Sequence, residues 1–330
     1  MYFTKMLGAA AIASAAIFST GAALAEVDTL KIGTTTTLPA MPLVIGQKKG
    51  FFAEEGLEVE LEKTNGATTV MMPMLAQGGL DMVMSGPSAS LFNSMSQGMG
   101  IKIVSDVGQL DPSADGAPFV IVVRKDLLDS GELTKLEDLK GRPITMGVDG
   151  TPLAFMMIKA LQKVGLGEAD IDPKYFRALP DMVAALQNKV VDVSAMIVPF
   201  DAQLARDGIA VSLVDAAEVA PNMQAFILLA NEKFVANDEL RHRFFRAYRK
   251  SVDWYREHLN GDRTELVEMA TEFTGMSKEQ IEVSAWAHYE ENLQLNEASL
   301  VEQYDMWVAK GLAAPGLDMA AQIINPPLND

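Results

Sequence analysis

The chain has 330 residues, 49% of them hydrophobic, with a formal net charge of −17 at pH 7. That length supports one large or two ordinary domains with real cores, and the acidic balance argues against nucleic acid or an anionic membrane surface as partner. There is no cysteine, which excludes disulfides, cysteine-ligated metals, thiol nucleophiles and a lipidated cysteine anchor.

Lys5 precedes an apolar, small-residue run over 7–18, and Ala23-Leu24-Ala25 stand before the acidic Glu26. This is the layout of a secretory signal cleaved after Ala25. The run is short and alanine-rich beside the roughly 20 apolar residues of a membrane span. A soluble chain exported to a periplasm is expected.

The first strand is predicted over 29–33. A run of threonines follows, Thr34 to Thr37, and Leu38-Pro39 leads into a helix over 41–49. The hydroxyls of Thr35, Thr36 and Thr37 at a strand's carboxyl end are candidate ligand groups, with Pro39 and Met41 beside them. The alternative is a β-prone run that only lengthens the strand. Val59 and Leu61 alternate with Glu58, Glu60 and Glu62, which marks a half-exposed strand. Asn65 to Thr69 then forms a loop and helix start carrying Gly66 and Thr68.

Residues 75–95, LAQGGLDMVMSGPSASLFNSM, read as helix end, turn, buried strand, proline loop and new helix. Ser85-Gly86-Pro87-Ser88 opens that helix, with Ser85 or Ser88 as cap. Its first N–H groups have no intrahelical partners and point past the strand end. Anions and polar ligands bind at such places.

Strands are predicted over 101–107 and 119–123, and the first crossing between lobes is placed near Arg124. The next lobe begins with a strand over 144–147. Asp149, Gly150 and Thr151 then lead into a helix over 153–164, with Asp149 or Thr151 as cap and Pro152 in its first turn. Arg177, in a strand over 175–179, is either an anion partner or a solvated position. A helix over 181–187 follows.

The segment LQNKVVDVSAMIVPFDAQL, residues 186–204, repeats the earlier pattern. Leu186 precedes Asp192 by six residues, as Leu75 precedes Asp81, and Pro87 and Pro199 follow the aspartates by six and seven. Pro199-Phe200 is either a cleft wall or a loop plugged into its own lobe. One long duplication, with no short-period array, predicts two α/β lobes. The expected division is a signal segment over 1–25, lobe I over 26–122 plus 225–330, and lobe II over 123–224.

Beyond 237 the pattern is helical: 238–259, 263–273, 278–293 and 300–310. Ser277 with Gln280, and Ser299 with Glu302, have capping-box spacing. Phe244, Phe245, Tyr248, Trp254 and Trp286 recur at helical spacing and read as core. His242, His258 and His288 fall in these helices, away from the cleft loops, and no pair has the spacing of a helical metal site. No metal, cofactor or catalytic residue is expected. Asp149, Asp181 and Asp201 at helix starts read as caps, or as a carboxylate pair across a cleft.

The signal segment together with LKIG, GFFAEEGLEVEL, LAQGGLDMVMSGPSA, LEDLKGRPITMG, MVAALQNKVVDVSAM and VPFDAQL resembles the ABC-transporter substrate-binding proteins of the nitrate, sulfonate and taurine group. That group includes relatives of the thiamine-pyrimidine synthases. The resemblance runs from about Leu30 into the C-terminal helices. It implies a two-lobed periplasmic-binding-protein (type II) α/β fold with two crossover connections and a helical C-terminal part. It also implies a membrane permease and an ATPase as partners, and a monomer is expected. Ligands of the family lie on strand-end loops, which here match 34–41, 66–68, 85–88, 149–151 and 199–200. The pyrimidine synthases use histidine and cysteine that this chain lacks at those loops, so the enzymatic branch is not expected. The expected function is capture of a small anionic solute, organic or inorganic, for import. A secreted enzyme using Asp149 or Asp181, and a receptor presenting ligand to a membrane sensor, are the alternatives.

Overall fold

The computed structural model describes residues 27–64, 68–113, 117–176 and 178–327, with backbone only at 68 and 69. The expected signal segment, Gly66 and Arg177 lie outside the described residues, as does the side chain of Thr68. Two five-stranded sheets form the frame. The first has the order β2-β1-β3-β10-β4 and contains β1 (Asp28–Thr35), β2 (Leu57–Thr64), β3 (Met82–Ser85), β4 (Ile101–Gln109) and β10 (Gln224–Asn231). The second has the order β7-β6-β8-β5-β9 and contains β5 (Phe119–Arg124), β6 (Pro143–Gly147), β7 (Asp172–Tyr175), β8 (Val193–Ile197) and β9 (Ala210–Asp215).

The sheets match position by position. In each, a first strand pairs in parallel with two neighbours, and an antiparallel strand supplied across a crossing pairs with the second of these. Local composition explains the placement. β3 and β10 are buried along their whole length and lie inside their sheet, covered on both faces. β2 buries Leu57 and Val59 and exposes Glu58 and Glu60, as an edge strand does.

The two sheets make a two-lobed α/β fold, with two crossings between Gln109 and Phe119 and between Asp215 and Gln224. The first falls earlier than the expected crossing at Arg124. The apolar run Phe119 to Val123 is a strand of the second sheet, pairing antiparallel with β8 from Phe119↔Ile197 to Val123↔Val193. Periodicity shows that such a run is buried but not which sheet buries it.

The C-terminal part packs as helices Asp238–Asn260, Thr264–Thr274, Lys278–Val283 and Glu297–Ala309. Phe244, in the first of these, stacks on Phe52 and Tyr248 at centroid distances of 5.5 and 5.6 Å. The last helix touches both lobes, with Tyr304 against Phe92 and Trp307 against Phe155. Two sequence expectations fail here. The helix predicted over 278–293 stops at Val283, because the segment beyond it bonds to β4: the Asp106 N–H donates to the Leu293 carbonyl at 3.0 Å and the Glu290 N–H to Asp106 Oδ2 at 3.1 Å. His288 is therefore not helical, and its Nε2 lies 3.3 Å from Asp111. The last helix begins at Glu297, capped by Asn296, while Ser299 is buried and its Oγ accepts from the Gln224 N–H. Among the described residues no helix is long and apolar enough to cross a membrane.

Candidate functional site

A cavity of about 370 Å³ opens between the lobes. Its first wall is the carboxyl end of β1 and its extension, Thr35, Thr36 and Thr37, with Thr64 from the end of β2. The parallel register β1↔β2 runs to Thr35↔Thr64, so the two strand ends present their hydroxyls together. The Thr35 and Thr37 hydroxyls lie 2.8 Å apart in a hydrogen bond. Thr37 precedes the turn Leu38–Ala40 without capping it, which leaves its hydroxyl for Thr35 and the cavity.

The second wall belongs to the other lobe. Leu179 and Pro180 begin the helix Leu179–Gln187, and Phe200, Gln203 and Arg206 come from the helix Phe200–Arg206. Residues of both helices line the cavity because each starts just beyond the end of a strand, β7 or β8. Arg206 is the one charged side chain among the described lining residues, and it is half-exposed and paired with Asp207 at 2.7 Å. Thr274, Gly275, Met276 and Gln280, at the corner between two C-terminal helices, form the third wall.

Of the candidate residues, Thr35, Thr36, Thr37 and Phe200 line this cavity. Met41, expected as an apolar wall, is fully buried in the lobe I core, and Pro39 is buried with its carbonyl accepting from the Tyr289 hydroxyl. Pro199 immediately precedes the helix that carries Phe200 and is itself buried.

The loops at Ser85–Ser88 and at Asp149–Thr151 meet each other. The Ala89 N–H donates to the Gly150 carbonyl at 2.8 Å. A Cβ on Gly86 would lie 2.5 Å from Pro152 Cγ. Ser88 caps its helix, accepting from the Leu91 N–H at 3.3 Å. Thr151 stands at the N-cap position of its helix but donates its hydroxyl to the Val148 carbonyl. Asp149 accepts from the Gly150 N–H and pairs with Lys310 at 3.4 Å.

Leu179, Pro180, Gln203, Arg206 and the C-terminal corner escaped the sequence reading. The Leu179-Pro180 start had a usable signal, since proline favours the first turn of a helix.

Two carboxyls near these elements are held well above their ordinary range by burial. Asp201, next to Phe200, is pushed up to about 6, and its Oδ1 has no hydrogen-bond partner among the described residues. Asp106 on β4 is likewise pushed up to about 6, opposed by hydrogen bonds from Gln224, Gly108 and Glu290. Among the described residues no group of three metal-ligating side chains occurs. The cavity is thus a hydroxyl- and amide-rich pocket with an apolar side and one cation at its edge, suited to holding a polar or anionic molecule.

A sequence model of the NMT1-like family matches residues 23–271. The bicarbonate-binding protein CmpA of Synechococcus elongatus is 51% identical over 43 residues, which are 13% of this chain and 10% of that protein. The match thus spans about a tenth of that relative's length. The fold is shared with many solved structures, among them the following three. The aliphatic sulphonate binding protein SsuA from Escherichia coli superposes with a TM-score of 0.74 at 16% identity, covering 92% of this chain and 94% of that one. The nitrate-binding protein NrtA from Synechocystis gives 0.72 at 15%, covering 90% and 85%. The alkanesulfonate-binding protein SsuA from Xanthomonas axonopodis, bound to MOPS, gives 0.71 at 18%, covering 91% and 99%.

Proposed function

Because the chain belongs to the NMT1-like family and has the fold of the nitrate- and sulfonate-binding periplasmic proteins, we propose that it is an exported solute-binding protein. It captures a small anionic solute in the interlobe cavity and delivers it to an ABC permease and its ATPase. The observation that carries the reading is the cavity itself. Threonine hydroxyls from two strand ends of one lobe face Phe200, Gln203 and Arg206 of the other, and no acidic side chain stands among the described lining residues.

Hydroxyl donors and a guanidinium favour an acceptor-rich solute, and Phe200 with Met276 screens it from water. Binding that bridges the two lobes favours the closed arrangement by the difference in affinity between open and closed forms.

The test is a thermal-shift panel on ligand-free protein against nitrate, bicarbonate, alkyl sulfonates and carboxylates. Ligand at a thousand times its dissociation constant adds roughly 4 kcal/mol, a shift of several degrees or more. The reading requires that the shift vanish in Thr35→Val and Thr37→Val. A panel with no shift, or one that survives both substitutions, overturns it.

A further inference from the structure

The strand-end pattern gives no reason to expect the third wall of the cavity. Gln280 stands on that wall and is 6% exposed. Its side chain is fixed at one end by a capping box. Oε1 accepts from the Ser277 N–H at 2.9 Å, and Ser277 Oγ accepts from the Gln280 N–H at 3.4 Å. The other end, the Nε2 amide, has no hydrogen-bond partner among the described residues. A carboxamide pinned by its oxygen cannot turn its NH2 group away without breaking the cap, so the donor is oriented before any solute arrives.

The rest of the corner is already committed or apolar. The Thr274 hydroxyl donates to the Ala270 carbonyl at 2.7 Å and accepts from the Met276 N–H at 3.3 Å. Gly275 makes the turn with φ of +74°, and Met276 is apolar. The helix Thr264–Thr274 packs on the helices Met41–Lys48 and Asp238–Asn260 of the first lobe, while Lys278–Val283 packs on Phe200–Arg206 of the second. Gln280 therefore sits where the C-terminal helices meet the far wall of the cleft.

We propose that Gln280 is a solute-contacting residue. Its Nε2 amide donates to an acceptor atom of the solute, so the C-terminal corner takes part in recognition alongside the strand-end loops. This rests on the cavity being the solute site. The Nε2 atom is not among the fully buried unpaired polar atoms, so it stays open to a solute, and a solute oxygen there gains a directed hydrogen bond in place of water. The contact selects acceptor-bearing solutes over isosteres that present a donor or a methyl group at that point.

The substitution that separates recognition from folding is Gln280→Glu. Glutamate is the other capping-box residue and keeps the acceptor for the Ser277 N–H, but it replaces the donor with a carboxylate oxygen. The probes are nitrate, bicarbonate, ethanesulfonate, benzoate and glutarate, titrated into the purified ligand-free chain. Because salt does not screen a carboxylate from an anion in contact with it, Gln280→Met, which removes the donor without adding charge, is titrated beside Gln280→Glu and must lose affinity as well. The expected result is an unchanged midpoint without probe, and affinity for the binding probe about 10- to 100-fold weaker than wild type. A probe whose affinity is lost in Thr37→Val but kept in Gln280→Glu overturns the role of Gln280 and leaves the cavity reading standing. Absence of any shift in the wild type, or a shift that survives both substitutions, overturns the two together.

Discussion

The Ala89 N–H donates to the Gly150 carbonyl at 2.8 Å, joining the loop after β3 in one lobe to the loop after β6 in the other. Gly150 has φ of +77°, and a Cβ on it would lie 2.8 Å from the Ala89 Cβ. Absence of a side chain there is what lets the two loops touch.

Gly150→Ala is expected to lower stability by about 2–4 kcal/mol, combining left-handed strain with overpacking, and to enlarge the radius of gyration. Gly165→Ala is the control. Its φ is +72°, but a Cβ there meets nothing within 4 Å, so strain of about 1–2 kcal/mol is expected with no change of radius. Urea unfolding and solution scattering read the two effects separately. Equal radii in the two variants would show that the contact does not hold the lobes together.

Arg206→Ala separates binding from stability. The side chain is half-exposed and its only partner among the described residues is the adjacent Asp207, so its loss should change stability by less than about 1 kcal/mol. As the single cation among the described lining residues, it should matter to an anion. Calorimetric titration should show affinity about tenfold weaker, in keeping with loss of one charge-assisted contact, and a smaller dependence on salt. Unchanged affinity would place the solute away from the helix Phe200–Arg206.

The parts of this site that were legible in the sequence are those generated by strand order. Thr35 to Thr37 follow a short apolar strand, Phe200 follows the proline loop of the repeat, and a parallel strand end in an α/β lobe faces the cleft whatever its details. The same logic led to Ser85–Ser88 and Asp149–Thr151, which do stand at strand ends. How the two lobes abut turned those loops toward each other. Gln280 was legible only as a cap. The capping box is written in four consecutive residues, whereas the cavity beside it depends on helix packing between distant parts of the chain. Residues 284–293 show the limit from the other side, since bonds to β4 overrode a helical pattern. His288 was consequently misplaced.

Asp192 tests the duplication. It immediately precedes β8 as Asp81 precedes β3, and their N–H groups donate to the Pro143 and Lys31 carbonyls at 2.8 and 2.9 Å. The side chains differ. Among the described residues Asp81 Oδ2 accepts from the Lys31 N–H alone, whereas Asp192 is nearly buried between Arg124 at 2.9 Å and Arg142 at 3.3 Å. Asp81→Ala should remove about 1 kcal/mol. Asp192→Ala removes the carboxylate that both guanidinium groups share, leaving Arg124 with Asp126 and Arg142 with Glu132, and should remove about 1.5–3 kcal/mol. Denaturant midpoints at constant slope measure the difference, and equal losses would mean that solvent reaches the arginines.

Asp106 should give the stability of the protein a pH dependence opposite to that of an ion-paired carboxylate. Its carboxyl is fully buried beside Tyr248 and Tyr289, and burial raises it from 3.8 to about 6 against the pull of its hydrogen bonds. In the unfolded chain it ionises near its ordinary value, so between about pH 4 and 6 the folded form binds more protons than the unfolded form. The contribution of this group is therefore fully present below pH 4 and is lost as pH rises through 6, by on the order of 3 kcal/mol. Asp201, also raised to about 6, acts in the same direction. Ion-paired acids such as Asp126, held well below its ordinary range by Arg124 and Lys189, act oppositely at lower pH. Only the difference between wild type and variant isolates one residue. In Asp106→Asn the remaining oxygen can still accept from Gln224 Nε2 and the Gly108 N–H, which now bond to Oδ1 at 2.5 and 2.9 Å, while the new NH2 faces the Glu290 N–H. The variant should gain on the wild type steadily as pH rises from 4 to 7 in guanidinium melts. A stability difference that does not change with pH over that range would mean that Asp106 keeps its proton, or its charge, in both folded and unfolded states.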